Sequence, residues 1–440
     1  MCGIAGFTRC WVAEDPKRLL SVMGEAMRHR GPDASGIHVD DEIALVHRRL
    51  SILDLSPLGN QPMVSHCGRY LIVFNGEIYN FLELKKSLEK SGVTFTSKTD
   101  TEVLLELFAQ EGASCLNKLN GMFAFAIWDN VEKQLFLARD RIGKKPLYYF
   151  LGGLGKLAFA SELKSILAIP GVDREIEPTA FYDFLKYHYV PTPKTIFKNI
   201  FKLPPGHYLT LAQGQAPQIH EYWDVRFTDK STLSLDDAVG QLLHLLHDST
   251  QLRMIADVPL GAFLSGGVDS SAVVALMSSA QQGQVRTCSI GFEDKEHDES
   301  TYAREIAGLF STNHHEFKVK EDIKTTVQLL PHFFDEPFAD SSAVPTYHVS
   351  RLARQAVTVA LAGDGGDEIF AGYDKYAVEL KENLARLYLP QSLLHTVQKL
   401  CTGQSWPIAR KAASFSSSAL LDPALAFYRS NTWIDDATLA

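Results

Sequence analysis

Cys2 follows the initiator methionine directly, so removal of Met1 leaves a residue with a thiol and a free α-amine on one carbon skeleton. A thiolate attacks carbonyl carbons, and an amine with a pKa near roughly 8 can take up the thiol's proton at neutral pH. Three further clusters carry groups suited to a bound amide. Arg48-Arg49-Leu50-Ser51-Ile52 offers a guanidinium fork for a carboxylate. In Asn75-Gly76-Glu77, expected just past a strand end, the Asn amide and the Gly N–H form a donor pair for an oxyanion. Glu77 and Asp100 are acceptors for a substrate ammonium group. Each cluster also has a plainer reading by itself. Asn-Gly is the commonest hairpin dipeptide. Thr99-x-x-Glu102 forms a capping box beside Asp100. Arg48 and Arg49 make a solvated charge pair, and most cysteines are inert.

The second half carries a different chemistry. Ser265-Gly266-Gly267-Val268-Asp269-Ser270-Ser271 stands between an apolar strand ending at Leu264 and the start of a helix. Glycines let backbone close on a phosphate, and helix N-terminal N–H groups with serine hydroxyls bind it. No G-x-x-x-x-G-K-[ST] run is present, so this is not the loop that transfers a γ-phosphate. Asp269 is a natural Mg²⁺ ligand, because Mg²⁺ takes one or two carboxylates plus phosphate oxygens. The strand end Ser289-Ile290-Gly291-Phe292 suits adenine, and Ala362-Gly363-Asp364-Gly365-Gly366-Asp367-Glu368 supplies a third loop with Asp367 as a second Mg²⁺ ligand. Loops at the carboxyl ends of parallel strands converge where such sheets bind ligands. The plainer readings are a glycine turn at a helix start and a solvated acidic turn.

The elements that must hold these groups differ between the halves. Asp15-Pro16 opens a helix with an apolar face of Leu19, Leu20, Met23, Ala26 and Met27, stopped by Gly31-Pro32. Residues 69–74 read as a buried strand, and 81–90 and 101–110 as helices. Residues 121–129 with 134–139, and 147–151 with 156–160, read as hairpins. Hairpins in sequence imply antiparallel sheets, and helices among them a layered α/β sandwich. The turn-rich stretches 212–217 and 229–234 read as linker. From residue 235, strands over 258–264, 286–292, 315–319 and 357–361 alternate with helices over 270–279 and 300–310, which predicts a parallel sheet. The expected domains are therefore 2–211 and 235–440, with 212–234 between them.

Composition narrows the function classes. A formal net charge of -9 argues against a general nucleic-acid binder. No apolar run approaches the roughly 20 residues of a membrane span, and the start lacks a secretory signal's basic and apolar regions. Cys2, Cys10, Cys67, Cys115, Cys288 and Cys401 are scattered without a C-x-x-C pair. Neither a zinc site nor a disulfide framework is suggested, which fits a reducing cytoplasm.

Taken together, the clusters fall in one fixed order. Met-Cys-Gly-Ile-Ala-Gly, Arg28-His29-Arg30-Gly31-Pro32-Asp33, Arg49 to Asp54, Asn75 to Asn80, Gly121 to Phe125, and Arg139 to Tyr148 succeed one another. Over nearly all of residues 2–210 the chain resembles the glutaminase domain of the N-terminal-nucleophile amidotransferases, most closely that of glutamine-hydrolysing asparagine synthetases. The three later loops look like the pyrophosphate-loop ATP domain of the same family. The resemblance implies an αββα sandwich followed by a doubly wound parallel sheet. It implies Cys2 as the nucleophile of a γ-glutamyl thioester, its α-amine handling the proton, and Asn75 and the Gly76 N–H as oxyanion donors. Arg49, Ile52, Asn75, Glu77 and Asp100 would bind glutamine, while Arg30 and Asp33 read as structural. Leu264, Ser265, Gly266, Gly267, Asp269, Ser270, Ser271, Ile290, Ala362, Gly363 and Asp364 would bind ATP, with Mg²⁺ on Asp269 and Asp367. The implied reaction converts ATP, aspartate and glutamine to asparagine, AMP, pyrophosphate and glutamate, with ammonia passing inside the protein. A homodimer is implied by resemblance alone.

The resemblance departs from the family in two places. The third loop begins Ala362-Gly363-Asp364-Gly365 where the family has Ser-Gly-Glu-Gly, and branches that amidate sugar acids or peptide carboxylates carry related loops. The residues 335–342, Asp-Glu-Pro-Phe-Ala-Asp-Ser-Ser, lie on the expected acyl-acceptor side. A lysine expected at the phosphates and an E-x-R-x-P-F-L-D stretch are not found between Tyr373 and Ala440, and Lys375 and Lys381 stand in another context. The expectation is a C-terminally incomplete ATP half, with a glutaminase-only protein as the alternative from a different class.

Overall fold

The computed structural model describes residues 1–9, 15–153, 155–281, 283–291, 298–319 and 323–434. Two six-stranded antiparallel sheets come first. One has the order β10-β8-β9-β1-β3-β2 and the other β12-β11-β7-β6-β5-β4. Their strands are β1 Gly3–Thr8, β2 Ala34–Val39, β3 Ile43–Arg49, β4 Met63–Val64, β5 Tyr70–Ile78, β6 Gly121–Asp129, β7 Gln134–Arg139, β8 Tyr148–Leu151, β9 Leu157–Ala160, β10 Ile200–Lys202, β11 His207–Ala212 and β12 Gln218–Glu221. The helix α1 (Pro16–Ala26) covers the first sheet, and α2 (Phe81–Lys90) and α3 (Asp100–Glu111) cover the second.

Side-chain alternation builds these layers. Along β6, Ala124, Ala126 and Trp128 point between the sheets, while Phe123, Phe125 and Ile127 point to the α2–α3 layer. Along β3, Ile43 and Leu45 point between the sheets, and Ala44 and Val46 pack under Leu20 and Met23 of α1. Successive residues face opposite ways with period two, so a strand buried on both faces is a continuous apolar run. The result is the expected αββα sandwich.

Two sequence expectations are corrected here. Residues 212–217 are not linker: β11 and β12 pair antiparallel across them, so they form a hairpin turn. Asn75-Gly76-Glu77 is neither a turn nor past a strand end. β5 runs on to Ile78, with Asn75, Gly76 and Glu77 opposite Ala124, Phe123 and Met122.

The later sheet has four parallel strands: β13 (Leu260–Phe263), β14 (Arg286–Gly291), β15 (Asn313–Lys318) and β16 (Val359–Leu361), in the order β15-β14-β13-β16. The order reverses at β13, the topological switch point of a doubly wound sheet. The chain divides into two compact units, Met1–Phe181 with Val190–Ala362, and Tyr182–Tyr189 with Gly363–Ala440. In the second unit, helices Asp374–Tyr388, Gln391–Cys401, Pro407–Ala419 and Pro423–Ser430 pack together. There Arg386 ties down the carbonyls of Ser418 and Leu421. Among the described residues no helix is long and apolar enough to cross a membrane.

Candidate active sites

Three strand ends meet at one edge of the sandwich. β1 pairs antiparallel with β3 in the register Gly3↔Arg48, which sets Cys2 beside the end of β3. The ring of His47, on the inward face of β3, crosses to Phe74 O of β5 at 3.1 Å. Burial drops its pKa to about 3, so it donates there as a neutral ring. Asn75 and Glu77 share the face of Val73, which points between the sheets.

The Cys2 thiol points at Leu50 O, 3.7 Å away. Burial pushes it up, so it stays protonated until a base acts. The chain amine, on Met1 here, is lowered to about 5 by burial and by the charges of Lys145 and Arg30. At that value the Met1 amine is neutral at pH 7. Burial raises Glu77 well above the usual carboxylate range, and the neighbouring Asp100 charge adds to it. Burial lifts Asp100 to about 6, although its Oδ2 accepts from Ile78 N–H at 2.9 Å. Two neighbouring carboxyls of raised pKa, Asp100 buried and Glu77 half-buried, favour a cation between them.

Asn75 is 0 % exposed, and neither its Oδ1 nor its Nδ2 has a hydrogen-bond partner. A buried amide left unbonded is costly and uncommon unless a ligand completes it. A Cβ on Gly76 would lie 2.4 Å from Met122 O and 2.8 Å from Phe123 Cα, so only glycine lets β5 and β6 close here.

Arg49 departs from expectation. It is buried, and both terminal nitrogens are committed to the loop after β3. Nη1 donates to Ser56 O at 2.8 Å and Asn60 Oδ1 at 3.0 Å, and Nη2 to Leu53 O at 3.2 Å and to Asp54 O. In this structure its fork shapes the loop, and only the Nε–H is left for a carboxylate. Ile52 lies in the same loop, its carbonyl accepting from Asp257 N–H at 2.9 Å.

Sequence reasoning set Arg30 aside as structural, yet its Nε donates to Cys2 O at 2.9 Å. Its Nη1 is held at 3.0 Å by Glu162, which also meets His29 and Lys164. Burial opposes ionisation of Glu162, but the His29 hydrogen bond and the Arg30 and Lys164 charges bring it to about 2. Asp33 fits the structural reading, accepting Ser51 N–H at 2.8 Å. Lys145, in the run 139–148, is a site residue that sequence reasoning misses. It is buried beside Cys2 and Glu77, and burial lowers it to about 8.

The second site is at the end of β13. Ser265 Oγ lies 3.0 Å from Ser270 Oγ and accepts from Gly267 N–H at 3.2 Å, curling the loop onto the helix Val268–Ala280. Gly266 has φ +89°, and a Cβ there would lie 2.5 Å from Tyr302 Cβ. Ser271 Oγ is buried without a partner. A cavity of ≈ 240 Å³ is lined by Leu264, Ser265, Ser289, Ile290, Glu299 and Thr346, among others. Glu299 and Thr346 carried no sequence signal. Ser289, Ile290 and Gly291 lie within β14 itself, and Phe292 falls outside the described residues.

Among the described residues no three His, Cys, Asp or Glu side chains converge as a metal cage. Asp269 stands in the first turn of its helix, and its carboxylate makes no side-chain hydrogen bond among the described residues. It suits an ion completed by phosphate oxygens. Ala362 closes the first unit, and Gly363, Asp364 and Asp367 belong to the second. There Gly365, at φ +94°, leads into the helix Gly366–Phe370, with Asp364 and Asp367 exposed.

A family model described as glutamine amidotransferase domain matches residues 1–223, and one described as asparagine synthase matches residues 241–433. A protein of Methanocaldococcus jannaschii, provisionally named glutamine-hydrolysing asparagine synthetase 2, is 40% identical over 396 residues, covering 85% of this chain and 76% of its own. Glutamine-hydrolysing asparagine synthetase 1 of Bacillus subtilis is 36% identical, covering 86% of this chain and 59% of its own. Amidase chry2 of Gibberella zeae is 32% identical, covering 86% and 60%. The chain thus spans less than two thirds of the latter two relatives.

Proposed function

The chain belongs to the glutamine-hydrolysing asparagine synthetase family, and on that premise we propose that it splits glutamine at Cys2 and uses the ammonia to amidate a carboxylate activated at the Ser265 loop. The observation that carries the first half is the unbonded, buried Asn75 amide on the same face as Glu77.

In this reading Met1 is removed and the Cys2 amine takes the thiol proton as Sγ attacks the glutamine Cδ. The oxyanion is received by Asn75 Nδ2 and the Gly76 N–H, placed where charge develops. The proton passes to the leaving nitrogen, the C–N bond breaks, and ammonia departs from a γ-glutamyl thioester. Water then hydrolyses the thioester to glutamate. Glu77 and Asp100 receive the α-ammonium group, and Arg49 with the Ile52 loop lines the carboxylate end. Arg30 fixes the Cys2 carbonyl, and with it the direction of the thiol.

The second half uses ATP because a carboxylate is a poor electrophile. Attack of the carboxylate oxygen on the α-phosphorus expels pyrophosphate, and ammonia displaces AMP from the acyl adenylate. With aspartate the sum is ATP, aspartate, glutamine and water giving AMP, pyrophosphate, asparagine and glutamate. The Ser265–Ser271 loop receives the phosphates through N–H and hydroxyl groups, and the cavity at Leu264, Ser289 and Ile290 receives the base. Mg²⁺ on Asp269, completed by phosphate oxygens, would neutralise the leaving pyrophosphate. A reducing cytoplasm and a homodimer belong to the same reading, with the first domain extended through β12 to Glu221.

Cys2→Ala tests it. Glutamate release should vanish while asparagine synthesis from free ammonia persists, and loss of both would contradict separate sites. A second reading keeps both half-reactions but changes the carboxylate. The Ala362 and Asp364 departures and the amidase relative favour it. ATP–pyrophosphate exchange with uronic acids and none with aspartate would select it.

A further inference from the structure

The segment 253–257, from the last residue of the helix Leu235–Arg253 toward β13, is fastened to the glutamine side of the first unit at three points. The Arg253 guanidinium lies 4.3 Å from the centroid of the Tyr79 ring, one residue past β5. Ile255 packs on the cluster that includes Phe74, Phe81 and Leu104. Asp257 makes a two-way link with the loop after β3. Its N–H donates to Ile52 O at 2.9 Å, and its Oδ2 accepts from Asp54 N–H at 2.8 Å.

Asp54 is the knot of that loop. It has φ +52°, a conformation uncommon outside glycine, and it persists only where its surroundings fix it. Its carbonyl takes Arg49 Nη2. Its Oδ1 takes Ser56 N–H and Oγ–H. Its Oδ2 takes Lys98 N–H at 2.8 Å, two residues before Asp100. The remaining polar group, its own N–H, is the one held by Asp257.

We infer that Asp257 is a positioning residue for the glutamine pocket, fixing through Asp54 both the Arg49 loop and the approach to Asp100. The inference rests on the glutaminase reading above. Asp257 touches none of the reacting atoms, so removing its carboxylate loosens the fit of glutamine and leaves the chemical step in place. Three residues later the same segment becomes β13 and ends at the Ser265 loop. One short stretch thus presents the phosphate loop and anchors the glutamine loop.

Asp257→Ala removes the acceptor, Asp257→Asn keeps an Oδ acceptor for Asp54 N–H, and both keep the backbone link to Ile52. In the full chain, the Ala variant should raise the glutamine KM for glutamate release by about threefold to tenfold, the scale of one lost hydrogen bond to an exposed carboxylate. Its kcat should hold within about twofold, and the Asn variant should match wild type. Thermal melting of each variant shows that it is folded, and Asp257→Glu, whose longer arm overshoots Asp54, should repeat the KM rise. An unmoved KM in the Ala and Glu variants, or an equal rise in Asn and Ala, overturns the inference while wild-type glutamate release upholds the glutaminase reading. A wild-type protein that releases no glutamate overturns both.

Discussion

Asp100→Asn replaces a buried carboxyl with a neutral amide of the same shape. Burial lifts the Asp100 carboxyl from 3.8 to about 6, against hydrogen bonds from Ile78 and the helix start and against the Arg49 charge. A gap of ~2 in pKa is worth about 3 kcal/mol. The unfolded chain loses this proton near 3.8, whereas the folded protein holds it to about 6. The folded state is therefore penalised increasingly across that interval, fully above it and not at all below it. An Asn at this position escapes the penalty and still accepts from Ile78 N–H. Urea unfolding of ligand-free protein should find Asp100→Asn more stable than wild type by up to about 3 kcal/mol at about pH 7.5, with the gain fading to nothing near about pH 4. The same variant should bind glutamine at least about tenfold more weakly, because an amide does not balance an ammonium group. A gain as large at low pH as at neutral pH, or destabilisation at neutral pH with glutamine binding intact, would refute the argument that these carboxyls await a cation.

Other outcomes follow from the same geometry. Asn75→Ala should lower kcat for glutamate release by about 10²–10³ with little change in KM, and steady-state kinetics decides it. The melting temperature should not fall much, since the buried amide has no partner to lose. Gly266→Ala meets both φ +89° and the Tyr302 backbone, a strain of about 1–3 kcal/mol. ATP–pyrophosphate exchange should be lost while glutamate release is retained. Gly76→Ala should part β5 from β6 at Met122 and cost about 1–3 kcal/mol or more, read as a drop in melting temperature together with glutaminase activity.

Strands β6 and β7 were legible to their last residues because each is apolar on both faces, and polar turns mark where they stop. β5 was cut short at Phe74 because the pattern breaks there. Asn75 and Glu77 are polar on an inward face, and that break belongs to the site and not to the strand. Gly76 and Gly121, each hard against the opposite backbone, let the pairing continue through it. The order of motifs was enough to bring Cys2, Arg49, Asn75, Glu77 and Asp100 forward as candidates. It did not reveal that the Arg49 fork is spent on its own loop, because hydrogen-bond allegiance is decided by tertiary geometry. Lys145 and Glu162 act through burial, and Asp257 through a partner 203 residues distant in sequence. A single sequence carries no local pattern for such roles.

The placement of Asn75 and Glu77 within β5 has a consequence for folding fidelity. Side chains alternate across a strand, so a slip of one residue against β6 would turn Phe74 and Gly76 into the pocket and bury both polar groups among apolar ones. Register and competence are thus one specification. A misregistered molecule has no weakened site in reserve, so titration of the Cys2 thiol with a glutamine-shaped electrophile would count correctly folded chains directly. Any loss of specific activity on refolding would then measure the fraction of molecules out of register, with the turnover rate of the remainder unchanged.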